Sequence, residues 1–361
     1  MNSLPHPTPE PTDAPPEVPP EAAPRPVILR VAGLRKHFPL KSGLLGRVTA
    51  HVKAVDGIGF EVHDGETLGI VGESGCGKST SARLLMRLIE PDEGVVEVDG
   101  HVAGHATSAA TRAMRKKMQM VFQDSHASLN PRLTIEDSVM FGLKAAGAPT
   151  ATARARARET LGLVGLAPDL FAQRYPHELS GGQRQRVNIA RALALGPRVL
   201  ILDEAVSALD KSVEAQVLNL LQDLQRRLRL TYLFISHDLN VVRHVSDRVM
   251  VMYLGKVIEV APAGRLYEAP LHPYTRGLLA SRLSMDPRRR IEKAPLAGDP
   301  PNPVDPPSGC RFRTRCAIAE PVCAAAEPPL ASAEAGHVVA CHACTAGSGH
   351  SLANPSNPNR P

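Results

Sequence analysis

Gly72-Glu73-Ser74-Gly75-Cys76-Gly77-Lys78-Ser79 lies between an apolar run at residues 66–71 and a stretch of helical periodicity at residues 80–88. The octet fits G-x-x-x-x-G-K-[ST], with the strand before and the helix after that the pattern needs to be a phosphate-binding loop. Its chemistry is anion capture. Glycines let backbone N–H groups close around phosphate oxygens, and the helix N-terminus adds positive potential. Lys78 reaches the β and γ oxygens, and the Ser79 hydroxyl is suited to ligate Mg2+. Residues 72–80, from Gly72 through Thr80, form the candidate nucleotide cradle. Cys76 stands at a variable position that tolerates a small side chain, so it reads as filler rather than as a nucleophile.

Outward from the loop, Val199-Leu200-Ile201-Leu202-Asp203-Glu204 is an apolar strand ending in two carboxylates. Such an ending is common by itself. Beside a phosphate loop it assigns Asp203 to holding Mg2+ through water and Glu204 to polarising the attacking water as general base. The first part of the chain is β-rich, with strands at residues 27–31, 54–62 and 66–71 and a Gly- and Lys-containing connector at 39–53. Residues 95–98 and 118–122 are further strands. Between 124 and 195 the pattern turns helical, with candidates at 135–144, 152–164 and 180–195. Strand and helix then alternate at 199–202, 213–228, 232–235, 239–245 and 249–253, the mark of a parallel sheet flanked by helices. Beyond 265 comes a stretch, 266–283, with helical character around Pro273. Residues 295–307 follow with six prolines.

The 361 residues suffice for two or three domains and a core that needs no disulfide staple. The chain is 43% hydrophobic, 22% charged and 3% aromatic, with no Trp, so it is poor in the rings that single-strand nucleic-acid platforms use. Its net charge of +6 is interleaved with 36 acids, so no basic stripe argues for a nucleic-acid partner. No apolar run reaches the roughly 18 residues of a membrane span, so a membrane role requires spanning partners. Residues 1–26 hold ten prolines and no apolar signal segment. They read as a disordered tail, as do the Gly-, Ser-, Asn- and Pro-rich residues 345–361.

Leu179-Ser180-Gly181-Gly182-Gln183 says what the nucleotide drives. This run resembles the signature motif of the ABC-transporter ATPases, and it precedes the acid-tipped strand at that family's spacing. Gln123 resembles the Q-loop glutamine, Ser207-Ala208-Leu209-Asp210 the D-loop, His237 in Ile235-Ser236-His237-Asp238 the switch histidine, and Phe38 the aromatic that stacks on adenine. The resemblance covers roughly residues 27–265. It implies an α/β P-loop NTPase fold (an ABC ATPase) with a β-rich N-terminal part, an inserted helical subdomain at about 124–195 and a small Cys-containing C-terminal segment. It also implies ATP as substrate, Mg2+ held among Ser79, Gln123 and Asp203, and catalysis by Glu204 and His237. In this family the signature motif faces a partner's ATP, so two ATPases close over two nucleotides. The start of a helix at Ser180 and Gly182 suits that task, because its N–H groups and hydroxyl are γ-phosphate donors. Ala205 stands where the family commonly has Pro, without removing a reacting group.

A closer resemblance is to the ATPases of oligopeptide and dipeptide importers. It is carried by Val121-Phe122-Gln123-Asp124-Ser125, by Ser128-Leu129-Asn130-Pro131-Arg132 and by Leu271-His272-Pro273-Tyr274-Thr275. The C-terminal extension at 266–344 adds Gly309-Cys310-Arg311-Phe312, Arg315-Cys316, Cys323 and the run 336–342. The resemblance implies an ATP-hydrolysing subunit held peripherally on the cytoplasmic face of the cell membrane. Its implied partners are a second, distinct ABC ATPase, two membrane-spanning permease subunits and an extracytoplasmic solute-binding protein. An importer of nickel or glutathione is the near alternative. A soluble ABC ATPase acting on ribosomes or DNA is the distant one, disfavoured by a single ATPase half and the lack of heptads. The tail cysteines are spaced C-x5-C-x6-C-x17-C, unlike the paired knuckles of a zinc ribbon. That subfamily's association with a [4Fe-4S] cluster makes Cys310, Cys316, Cys323 and Cys341 its candidate ligands, with zinc or unliganded thiols as the other readings. Cys344 reads as spare, and Ala317 stands where the subfamily usually has Pro.

Overall fold

Short strands that are apolar throughout need cover on both faces, and this chain supplies it from two sources. The computed structural model describes residues 25–42, 46–105, 107–124, 127–281, 296 and 298–353; of the expected tails at 1–26 and 345–361, residues 1–24 and 354–361 lie outside them. Strands β1 (Val27–Ser42) and β2 (Arg47–His63) form a long antiparallel hairpin, and β3 (Thr67–Val71) leads into the phosphate loop. Strands β4 (Glu93–Val98) and β5 (His101–Val102) complete a four-stranded antiparallel sheet in the order β2-β1-β4-β5. A second sheet adds β6 (Met118–Val121), β7 (Val199–Asp203), β8 (Thr231–Ile235) and β9 (Arg248–Tyr253), all parallel to β3, in the order β9-β3-β8-β7-β6. Strand β10 (Lys256–Pro262) turns back on β9, and from the C-terminal extension β11 (Ala331–Glu334) and β12 (His337–Val339) continue that edge antiparallel.

Alternate residues of a strand point to opposite faces, which sorts the core into two. Val199, Ile201, Leu233, Ile235, Met250 and Met252 pack with the antiparallel sheet and with helices α1 (Lys78–Leu85) and α2 (Ala109–Lys117). Leu200, Leu202, Tyr232, Phe234, Val249 and Val251 share the other cluster with helices. These are α3 (Ile135–Ala145), α4 (Thr150–Leu163), the single turn α5 (Pro168–Phe171), α6 (Gly181–Leu193), α7 (Lys211–Leu228) and α8 (Leu239–Val245). Side-chain caps fix where several begin. The Thr134 hydroxyl accepts from Asp137 N at 3.1 Å to start α3, and Asp238 accepts from Asn240 N at 2.9 Å to start α8.

Three regions differ from expectation. Within 39–53, read as a connector, the described residues 39–42 and 46–53 belong to the outer end of the β1–β2 hairpin; far from the core these positions are mostly exposed, so apolar alternation fades while the backbone ladder persists. The 266–283 stretch is two helices, α9 (Ala263–Glu268) and α10 (Pro273–Ala280), among the described residues. Pro273 opens the second, at a position where its missing N–H costs nothing. Residues 345–353, expected to be disordered, are tied down: the Ser348 hydroxyl donates to His342 O at 2.7 Å and Ser351 N to Glu320 at 2.9 Å. The extension is anchored in the core sheet by a fully buried pair, His337 Nε2 and Glu259 Oε1, 2.7 Å apart. Burial works to raise the Glu259 carboxyl, but hydrogen bonds from His337, Leu271 N and His272 N outweigh it and hold the group below its usual range.

Candidate nucleotide site

The phosphate loop runs from the end of β3 to the start of α1. Gly77 caps α1 at φ +107°, and a Cβ there would lie 2.3 Å from the Ala54 carbonyl oxygen, so no other residue fits. No side chain caps this helix, and its first-turn N–H groups open towards a cavity of about 430 Å3. Ser74, Gly75, Gly77, Lys78, Ser79 and Thr80 line one side of that cavity. The Lys78 ammonium donates to Gly72 O at 2.8 Å and to Glu73 O at 3.1 Å, which holds it over the loop. Glu73 and Cys76 line a smaller neighbouring cavity of about 200 Å3 instead. The Cys76 thiol is 3% exposed and burial pushes its pKa up, as befits a packed side chain rather than a nucleophile.

Glu204 lines the same cavity, while Asp203, beside the neighbouring groove, meets the loop through Ser79. The Ser79 hydroxyl donates to Asp203 Oδ1 at 2.9 Å. Burial raises the pKa of the Asp203 carboxyl, the Ser79 hydrogen bond opposes this, and the Glu204 charge adds to it. This hydroxyl and carboxylate are the hard oxygens that Mg2+ takes from a protein while keeping water and phosphate in its remaining positions, so the residues fit the ion. Glu204 follows β7 with φ +48°, a left-handed conformation that costs a side-chain residue on the order of 1–3 kcal/mol and clusters at functional sites. Its N–H donates to Ile235 O at 2.9 Å, and its carboxylate is met from two sides. Gln123 Nε2 donates to Glu204 Oε2 at 2.8 Å, and His237 Nδ1 lies 3.4 Å from the same oxygen.

The other residues singled out by sequence lie elsewhere. Leu179, Ser180, Gly181, Gly182 and Gln183 do not line this cavity. Ser180 caps α6: its hydroxyl accepts from Gln183 N at 3.3 Å, and Ser180 N donates to Gln183 Oε1 at 3.0 Å. Gly182 is needed where α6 meets α7, since a Cβ would sit 2.4 Å from Val213 Cγ1. In the D-loop, the Ser207 hydroxyl donates to Glu204 O at 3.0 Å, Ala208 is exposed, Leu209 packs towards Gly181, and Asp210 begins α7. Phe38 is not among the lining residues; its cross-strand partner Val52 is, and Lys36 Nζ sits 5.7 Å above the Phe38 ring. Sequence reasoning missed Val52, Ala54 and Pro303, which also line the cavity, and Tyr274, whose hydroxyl accepts from Glu73 N at 2.8 Å. Only Tyr274 carried a signal, within the 271–275 run.

The fold brings the tail cysteines near one another. Burial pushes the Cys310 thiol up to about 12, and Cys341, Cys323 and Cys316 are near enough to add to that effect. Cys316 is raised by burial too. Cys341 is raised first by a hydrogen bond with Cys344, so the cysteine that spacing sets aside is a partner of one of the four. Among the described residues no group of three His, Cys, Asp or Glu side chains that could hold a metal ion is found, so the structure gives the expected [4Fe-4S] cluster no support. Spacing along the chain cannot fix side-chain direction over loops this long.

Comparison with known proteins agrees on the class. Residues 55–207 match the family described as ABC transporter, and residues 258–323 match the family described as oligopeptide/dipeptide transporter, C-terminal region. The chain is similar in structure to cbiO1 from Clostridium perfringens, part of the ABC transporter complex cbiONQ (TM-score 0.57, 28% identity, covering 67% of this chain and 91% of that one). It is also similar to the ATP-binding cassette MJ0796, solved as a dimer in a post-hydrolysis state with ADP and phosphate (TM-score 0.57, 29% identity, 65% and 99%). In sequence it is 50% identical over 319 residues to the oligopeptide transport ATP-binding protein AppF of Bacillus subtilis, covering 87% of this chain and 97% of that one. It is 49% identical to a probable peptide ABC transporter ATP-binding protein of Sinorhizobium fredii, covering 87% and 89%. The chain belongs to the family of ATP-binding proteins of oligopeptide and dipeptide ABC transporters.

Proposed function

We propose that this chain is the ATP-hydrolysing subunit of a peptide importer of the oligopeptide/dipeptide class, peripheral to the cytoplasmic face of the membrane. Its partners in this reading are a second, distinct ATPase, two spanning permease subunits and an extracytoplasmic solute-binding protein. The observation that carries hydrolysis is the meeting of Gln123, Glu204 and His237 on the wall of the cavity that the phosphate loop opens. The peptide class is supported by similarity to AppF along almost all of that protein's length and by the match at residues 258–323. No described helix is long and apolar enough to cross a membrane, so attachment falls to the partners. A groove of about 600 Å3 beside Gln123, with Phe141 66% exposed on its α3 side, suits a docking permease segment.

In this reading residues 72–80 hold the triphosphate, and Lys78 exchanges its contacts with Gly72 O and Glu73 O for β and γ oxygens. When bound among Ser79, Gln123 and Asp203, Mg2+ supplies positive charge against the β and γ oxygens. Glu204 takes a proton from the attacking water as its oxygen bonds to the γ-phosphorus and the bond to the β–γ bridging oxygen breaks, leaving ADP and phosphate. His237, 63% exposed on the open side, is free to reach the γ-phosphate and orient the water. Ser180 and Gly182, at the start of α6, face the nucleotide held by the second ATPase. Glu204→Gln should retain ATP while hydrolysis by the assembled transporter falls about a thousandfold, in the range for loss of a general base; wild-type turnover in that variant would remove Glu204 from the mechanism.

The cluster reading of Cys310, Cys316, Cys323 and Cys341 rests on the family resemblance and enters no step. Iron and sulfide analysis of anaerobically purified protein decides it: stoichiometric iron and sulfide would establish the cluster, and zinc or no metal would dismiss it.

A further inference from the structure

The C-terminal extension reaches the phosphate loop from behind. Arg315, on the turn between Cys310 and Cys316, forms a fork with the Glu73 carboxylate: Nη1 donates to Oε2 at 2.8 Å and Nη2 to Oε1 at 3.1 Å. Its side chain is 5% exposed and that of Glu73 23%, so the pair is largely shielded from water. The guanidinium lies 5.9 Å from the ring centres of both Tyr253 and Phe312, and Nη1 also reaches the Tyr253 hydroxyl at 3.4 Å. These rings and Tyr274 pack against one another, so the fork has little freedom to swing.

Glu73 is thereby fixed at every polar group. Its N–H donates to Tyr274, its carboxylate accepts from Arg315, and its carbonyl accepts from Cys76 N at 3.3 Å and from the Lys78 ammonium at 3.1 Å. A line of polar contacts therefore runs from Arg315 through Glu73 to Lys78. The extension touches the site at a second point: Lys53 N donates to Pro303 O at 3.1 Å, and Pro303 lines the nucleotide cavity beside Val52 and Ala54.

We propose that Arg315 is a positioning residue of the nucleotide site, holding Glu73 and through it the phosphate loop in the shape that receives the triphosphate. The inference rests on the ATPase reading above and deepens it: the C-terminal extension is part of the ATP site. A loop held from outside presents its N–H groups and Lys78 at fixed distances. Displacements of an ångström at such a site cost up to about a hundredfold.

The test uses the full-length chain, with ATP affinity measured by equilibrium binding and turnover measured in the assembled transporter. Arg315→Ala should weaken ATP binding roughly tenfold and raise KM in step, with kcat within about twofold because Glu204 and His237 are untouched. Arg315→Lys keeps the charge but loses the fork, and should fall between Arg315→Ala and the wild type. Glu73→Gln breaks the fork from the loop side, and the double variant should bind ATP no worse than Arg315→Ala alone. If Arg315→Ala fails to fold, Glu73→Gln with Arg315→Lys carries the same reading. A lowered melting temperature with ATP affinity within twofold of wild type would make the fork merely structural and overturn the proposal. A wild-type assembly that hydrolyses no ATP would instead strike the ATPase reading itself.

Discussion

The N-termini of α1 and α6 are both assigned to an anion in the proposed reading, and the structure prepares them in opposite ways. Helix α1 begins at Gly77 with no side-chain cap, and its first turn lines the cavity that also holds Glu204 and His237. Helix α6 begins at Ser180, sealed by its capping box with Gln183, and lies outside that cavity. An uncapped end leaves donors to be satisfied by a ligand, whereas a capped end is stable alone. The Ser180 hydroxyl, accepting from Gln183 N, keeps its own proton to donate across a seam. In the proposed reading binding and turnover are thus separable: the cradle lies within one chain, and the donors at Ser180 would serve a nucleotide held by the second ATPase.

Two substitutions set these ends against each other. Lys78→Ala removes the cation at the α1 end and should weaken ATP binding to the isolated chain about a thousandfold, as for loss of a shielded charge partner. Equilibrium binding reads this directly, and unchanged affinity would mean that the loop is not the cradle. Ser180→Ala should leave ATP binding by the isolated chain unchanged within error while turnover of the assembly falls roughly a hundredfold, the usual loss for one preorganised donor. Should Ser180→Ala impair binding by the isolated chain, the division of labour between the two helix starts collapses.

What the sequence made legible follows the range of the forces involved. Residues 72–79 and 199–204 could be read because a backbone loop and a strand end are set by neighbours in sequence, and the structure joins them through Ser79 and Asp203. Family resemblance brought Gln123 and His237 forward; nothing in their spacing says that both would meet one oxygen of Glu204. Val52 was not legible: towards the outer, mostly exposed end of the hairpin the apolar alternation fades, and only the observed register places Val52 across from Phe38 and on the cavity wall. The contacts of Pro303 and Arg315 were not legible, although Arg315 lay within a recognised run, because more than 220 residues separate them from the loop they approach and no local pattern encodes a contact over that distance. The cysteines mark the same boundary: the extension's fold brings them near one another, which spacing alone did not show, and no group of three metal donors is found among the described residues.

A third helix start extends the comparison to the extension. Helix α10 is capped from inside the core by His272, whose Nδ1 accepts from Tyr274 N at 3.0 Å while the ring is 1% exposed. Only the neutral imidazole can accept, and burial lowers its pKa from 6.5 to about 4, with the Glu259 charge opposing. Glu259 is held below its usual range, with its other buried neighbour His337 hydrogen-bonded to it, so it stays ionised at pH 5. The unfolded chain therefore binds the His272 proton before the folded one does, and the stabilisation present above pH 6.5 is lost as the pH falls towards 4. Between pH 7 and pH 5 this amounts to about 2 kcal/mol, a few degrees in melting temperature. His272→Asn retains an acceptor at the cap but nothing to titrate, so its unfolding midpoint should fall less than that of the wild type over the same interval. Parallel losses in the two proteins would show that α10 does not depend on a neutral imidazole. The cap would then resemble the sealed start of α6, stable regardless of charge, and Tyr274 would owe its place beneath the phosphate loop to aromatic packing against Tyr253 and Phe312 alone.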